Sequence, residues 1–245
     1  MAWCLGERSS LISCPTCHSP TVGVHLKMKL QKAIFHTFLF ILFLEFIGIW
    51  ILLIPDEMET VSLIKASHFV NSIITLVFLV FIFKSLKQSD LLKLDKPESK
   101  YYFIALISGI GFVFFQSILN IFYHQEISSE LFDYEFTLER LTSLSVIASI
   151  FVVPITEELF FRNYILRGLL ENYRPIIAII LSSLIFAFIH IPFVSLFYEF
   201  FDFSLHQAYI TIFGGLIAGM LFYKSKSIIP SIIFHIFWNL TSYVV

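Results

Sequence analysis

Apolar runs long enough to cross a bilayer recur along almost the whole chain and leave little choice of fold. A helix needs roughly 20 residues to span the ~30 Å hydrocarbon core. Runs of that order lie at about 33–54, 62–84, 101–123, 142–171, 175–193, 206–223 and 227–245. Inside hydrocarbon each backbone N–H and C=O must be satisfied within the segment, so helices are expected. The run at 142–171 is too long for one straight crossing, and Pro154 within it is expected to bend or break it. The sequence therefore predicts an all-α, polytopic transmembrane bundle with seven or eight membrane helices, the number depending on that break. Composition agrees, since 58% of residues are hydrophobic and 14% charged, with a mean hydropathy of +0.85. Soluble domains average about 45–50% apolar and about 25% charged.

No repeat or low-complexity linker divides the chain. One membrane domain over 31–245 is expected, with a short polar extension over 1–30 and the chemically informative part at about 140–245. Residues 1–25 lack the apolar stretch of a cleavable signal peptide. Loop charges alternate in sign. Lys27, Lys29 and Lys32 precede the first run, and Lys84, Lys87, Lys93, Lys96 and Lys100 follow the second. Asp56, Glu57 and Glu59 follow the first run, and Glu126, Glu130, Asp133 and Glu135 the third. The positive-inside rule then puts the N-terminus in the cytoplasm, and a bacterial plasma membrane is the expected setting. A net charge of -2 gives no basic field for nucleic acid. Cys4, Cys14 and Cys17 all precede the first run, which argues against a disulfide framework between spans. Cys14-Pro15-Thr16-Cys17-His18 is half of a zinc ribbon at best, because a structural zinc needs four ligands.

Charge inside the apolar runs is concentrated in Thr156-Glu157-Glu158-Leu159-Phe160-Phe161-Arg162. A carboxylate at a helix centre costs on the order of 2.5–3.5 kcal/mol on insertion scales, so such residues face a protein interior or a watery cavity. Glu158 and Arg162 are four apart and share a helix face, which suits an ion pair. Glu157 points about 100° away and stays available as a base. His190 ends Phe186-Ala187-Phe188-Ile189-His190, and His235 opens His235-Ile236-Phe237-Trp238-Asn239. A hairpin turning at Tyr173–Arg174 would bring Glu157 and His190 to one depth, roughly 24 Å from the turn at 1.5 Å per residue. The depth of His235 matches less closely. A carboxylate, two imidazoles and an amide in an apolar bundle suit hydrolysis. The carboxylate deprotonates water, histidine shares the proton or polarises a carbonyl, and the Asn239 amide meets an oxyanion. Alternatively Glu157, His190 and His235 bind zinc or another divalent metal that activates the water.

Glu-Glu-x-x-x-Arg, Phe-x-x-x-His and His-x-x-x-Asn, in that order on membrane helices, resemble the CPBP (Abi) intramembrane peptidases, relatives of the type II CAAX prenyl endopeptidase. The resemblance covers roughly 140–245. It implies that Glu157 activates water and that His190 is its partner. It further implies that His235 and Asn239 serve the oxyanion or a metal, and that Glu158 and Arg162 complete the first motif. The expected activity is an intramembrane endopeptidase acting on a membrane protein or lipidated peptide, with the bilayer as its other partner and no nucleic acid.

Other readings stand beside this one. The less favoured alternative for the Glu157–Glu158–Arg162 group is an ion-pair cluster that fixes helix packing, since ionisable groups inside a membrane are functional by default, and Asn239 would be a polar bridge between helices. The chain would then be a non-catalytic immunity or scaffold protein of the same fold. A proton-coupled transporter using Glu157 and His190 as a relay is a third class, although paired broken helices are not evident. Gly215 and Gly219, with Gly214 beside them, predict close helix approach. Glu45 stands alone in the first run with no assigned role.

Overall fold

The structure is a computed structural model of the chain and describes residues 27–49, 61–126, 134, 136–192 and 204–245. Regular structure among them is helical throughout. The long helices are α1 (Leu30–Gly48), α2 (Val61–Ser85) and α3 (Ser99–His124). They are followed by α4 (Leu144–Leu170), α5 (Pro175–Phe188), α6 (His206–Ser225) and α7 (Ile229–Val244). The chain is an integral membrane protein with an all-helical fold.

Among the described residues, α1, α2, α3, α4 and α6 are long and apolar enough to cross a membrane, which makes five candidate spans. The expected seven or eight are not reached by this measure. α5 has 14 residues and α7 has 16, roughly 21 Å and 24 Å of helix at 1.5 Å per residue. α5 stops short of its apolar run because Pro192 lies just ahead. The amides of His190 and Ile191 turn back in tighter i→i−3 bonds to Ala187 and Phe188.

Pro154 does not split α4. Ala148–Val152 is wound as π-helix, and Pro154 occupies the first turn of the α-helical stretch Val153–Glu158 that follows. The wider π turn moves the carbonyl that the proline ring would strike, so the helix passes the proline unbroken. A second π stretch, Leu159–Leu166, is buried at every residue. α4 is thus the helix enclosed by the others.

Hydrogen bonds gather the loops at one end of the bundle. Met28 N–H donates to Gly168 O at 3.1 Å, and the Leu30 amide donates to the Tyr173 hydroxyl at 3.2 Å. Asn163 Nδ2 donates to Leu91 O, and the Ser227 hydroxyl to Asp95 O at 2.5 Å. This end holds the start of α1, the α2–α3 connection and the turns after α4 and α6.

Small residues bring α3, α5, α6 and α7 together, as the glycine spacing predicts. A Cβ at Gly215 would lie 3.0 Å from Ser183 Cβ, and one at Gly219 3.1 Å from Ile179 Cγ2, both on α5. A Cβ at Gly214 would meet the Trp238 ring of α7 at 2.5 Å, and one at Gly109 would meet Phe234 O at 2.6 Å. In hydrocarbon, helix association rests on this close packing rather than on exclusion of water. Gly214→Ala must displace Trp238 and should destabilise by roughly 1–3 kcal/mol. Gly111→Ala, with nothing within 4 Å of its Cβ, should be neutral or slightly stabilising. Thermal unfolding in detergent, comparing the two variants with wild type, checks this.

Candidate active site

The π stretch of α4 begins directly after Glu157 and Glu158. Glu158 is fully buried, and Arg162 Nη1 lies 2.9 Å from its Oε1. Nη1 has no hydrogen-bond partner in good geometry among the described residues, so the contact is an ion pair by proximity, not a directed bond. The Arg162 guanidinium also lies 4.3 Å from the centre of the Phe186 ring on α5, a cation–π contact that suits its planar, weakly hydrated head.

The same Glu158 Oε1 receives a bond from His235 on α7, at 3.0 Å from Nδ1. A carboxylate paired with Arg162 can only accept, so Nδ1 carries a proton, and in the neutral ring Nε2 is the lone pair. That Nε2 lies 3.8 Å from Glu157 Oε2, beyond hydrogen-bond range. Trp238, one turn on, stacks against the imidazole at 5.3 Å between ring centres. His235 therefore reaches the level of the glutamates, although the sequence matches its depth less closely.

His190 is fixed from the other side. Its Nδ1 donates to Phe186 O at 2.9 Å, which leaves Nε2 as an acceptor. Its ring meets the edge of Phe186 at 4.7 Å, so Phe186 contacts Arg162, His190 and His235 at once. Asn239 Nδ2 donates to Ser149 O at 2.7 Å, engaging one of its two amide hydrogens. Glu157 Oε2 is buried with no hydrogen-bond partner among the described residues.

Glu157, His190, His235 and Asn239 all line one cavity of about 640 Å³, while Glu158 and Arg162 stand behind it. A second cavity of about 250 Å³ lies between α1, α2 and α4, and both cavities share His68, Val153 and Glu157. Glu157 thus stands where the two meet. His68 and His206 also face the larger cavity, and the motif reading misses both. His68 leads a polar stripe, His68-Asn71-Ser72-Thr75, at helical spacing in an otherwise apolar span. That stripe was readable in the sequence.

The metal reading requires Glu157, His190 and His235 to converge. Among the described residues no group of three or more His, Cys, Asp or Glu side chains is arranged to hold a metal ion. The Nδ1 atoms of His235 and His190 are bonded to Glu158 and to the Phe186 carbonyl, which leaves Nε2 of each ring as the atom open to a further partner. Cys4, Cys14, Cys17 and His18 lie outside the described residues. Glu45 is exposed on α1 and lines neither cavity.

A family profile described as Rce1-like, type II CAAX prenyl endopeptidase Rce1-like, matches residues 139–241. Over that stretch the chain is similar to the Rce1-like proteins. Each of the motif residues falls within it, as do α4 through most of α7. His68 and the rest of α1, α2 and α3 lie outside the Rce1-like match. Comparison with curated proteins and with solved structures gives no match.

Removing Arg162 would strand Glu158 and loosen His235. Arg162→Ala should cost roughly 3–5 kcal/mol, the penalty for breaking a buried ion pair from one side. Arg162→Lys should recover only part of it, since lysine keeps the charge but loses the planar stack on Phe186. Monodispersity and melting temperature of the three proteins in one detergent check the order.

Proposed function

We propose that this chain is an intramembrane endopeptidase that hydrolyses a peptide bond of a membrane-associated protein or lipidated peptide, with water activated by Glu157. One observation carries the reading. Among the described residues each of two adjacent carboxylates keeps one oxygen without a hydrogen-bond partner, but Glu158 is held through Oε1 by Arg162 and His235 behind the cavity, whereas Glu157 lines the cavity together with His190 and His235. The Rce1-like match supports a CAAX-protease-like hydrolase.

The chemistry follows from those roles. A water in the cavity donates one hydrogen to Glu157 and the other to an imidazole Nε2 of His190 or His235. Glu157 takes the first proton as the water oxygen adds to the substrate carbonyl carbon. The second amide hydrogen of Asn239 is placed to meet the resulting oxyanion. The proton on Glu157 then passes to the peptide nitrogen as the C–N bond breaks, giving an acid and an amine. Phe186 and Trp238 hold the two imidazoles, so little reorganisation accompanies the step. Loop charge supports a cytoplasmic position for the N-terminal end of α1.

Glu157→Gln keeps the size of the side chain and removes the base. It should lower cleavage by on the order of 10²–10⁴-fold, the usual contribution of a general base, while the protein stays folded. The measurement is mass spectrometry of a mixed set of lipidated and unmodified membrane peptides incubated with each protein in detergent. A folded wild type that cleaves none of them, or a Glu157→Gln protein as active as wild type, would count against the reading. A chelator arm addresses the metal. Activity that survives chelation matches the donor set as placed, and loss restored by zinc would mean that ligands gather only on binding.

A further inference from the structure

Most of the lining of the larger cavity lies in one half of the bundle. On α3 it is lined by Gln116 and Asn120, near the C-terminal end of that helix. On α6 it is lined by His206 and Gln207, the first two residues, and on α7 by Asn239 and Ser242, near the last. α3 and α7 run toward this end and α6 starts from it, so the lining marks one face of the membrane. Glu157 sits near the middle of α4, at the floor of the cavity.

The opposite end is the one gathered by the bonds of Met28, Leu91, Asp95, Tyr173 and Ser227. Most of the cationic residues are there. Lys27 and Lys29 precede α1 and Lys32 lies in its first turn, and Lys84, Lys87, Lys93, Lys96 and Lys100 surround the α2–α3 connection. Arg167 and Arg174 flank the turn after α4, and Lys224 and Lys226 the turn after α6. At the cavity end the bases are Lys65 and Arg140, against Glu126 and Glu139. By sequence, residues 50–60, 127–135 and 193–203 hold Asp56, Glu57, Glu59, Glu130, Asp133, Glu135, Glu199 and Asp202 and neither lysine nor arginine.

Short basic loops stay on the cytoplasmic side, and the bias is read from loops such as these. The basic end is therefore cytoplasmic. We infer that the catalytic cavity opens to the non-cytoplasmic face, and that the substrates are chains whose scissile bond is presented from the outer leaflet. The side of opening stands on charge and geometry alone, whereas the statement about substrates rests on the peptidase reading. Its consequence for that reading is specific. A C-terminus lipidated in the cytoplasm approaches the closed, basic end, while a translocated membrane-anchored peptide or an extracytoplasmic juxtamembrane segment approaches the open one.

The test is sided labelling of the full-length protein, with Cys4, Cys14 and Cys17 replaced by serine and one new cysteine introduced at a time. Lys96→Cys reports the basic end, Glu126→Cys the end of α3, and Ser242→Cys the cavity lining; all three positions are exposed. Cells are treated with a membrane-impermeant maleimide before or after permeabilisation. Labelling of Glu126→Cys and Ser242→Cys in intact cells, with Lys96→Cys reacting only after permeabilisation, is the expected result. The reverse pattern overturns the orientation. Labelling of Glu126→Cys in intact cells with Ser242→Cys reactive only after permeabilisation overturns access from that face. Lys96 and Glu126 lie outside the packed interior, so the orientation stays readable even if Ser242→Cys does not fold. Labelling needs no turnover, so failure of this inference and failure of the peptidase reading are separate results.

Discussion

The organisation of the site depends on one buried cation. Arg162 is almost inaccessible in a bundle built largely of phenylalanine, leucine and isoleucine, and it cannot shed its proton. It must therefore be answered by a negative charge, and Glu158 supplies it. With that charge fixed, Glu158 becomes a strong acceptor at a defined place, and His235 is drawn from a helix 77 residues later in sequence. The tautomer of His235 follows from the same contact. Phe186 closes the arrangement by lying against the guanidinium and both imidazoles. A pair that contributes little net stability in itself thus determines where the reactive groups stand.

Close packing is what permits this. In hydrocarbon, three helices meet at such range only if backbones can approach, and the glycines of α3 and α6 remove the side chains that would hold them apart. Gly214 gives Trp238 its space, and Trp238 in turn stacks on His235. The chain of contacts therefore runs from an absent methyl group to the ring of a candidate catalytic histidine. The π stretches of α4 serve the same end by carrying the helix past Pro154 while keeping Glu157 and Glu158 aimed inward.

Much of this was legible in the residues. The i,i+4 spacing of Glu158 and Arg162 predicts their pair, and the divergence of Glu157 predicts its freedom, because both depend only on local helix geometry. That His190 lines one cavity with Glu157 is suggested by hairpin depth, and the presence of His235 there by motif order. The link from His235 to Glu158 was not legible, since it depends on how α7 rotates against α4. The count of seven or eight spans is not confirmed for a related reason, since five helices among the described residues have the length and composition of a crossing. Hydropathy sees an apolar run continuing to residue 193, but Pro192 ends the helix at Phe188. His68 belongs to no paired motif and stands on a distant helix, so only its polar stripe with Asn71, Ser72 and Thr75 marks it in the sequence.

Glu157 sits on a border of another kind. The wall of the larger cavity is shared between the matched domain and the helices before it, with Gln116 and Asn120 from α3 and His68 from α2. The smaller cavity takes most of its lining from α1 and α2. On the peptidase reading, chemistry and selectivity would be inscribed in different stretches of one polypeptide. The N-terminal helices could then diverge, changing which guests are admitted, while the hydrolytic machinery stayed under separate constraint. Two chains alike over the matched domain need not share a diet.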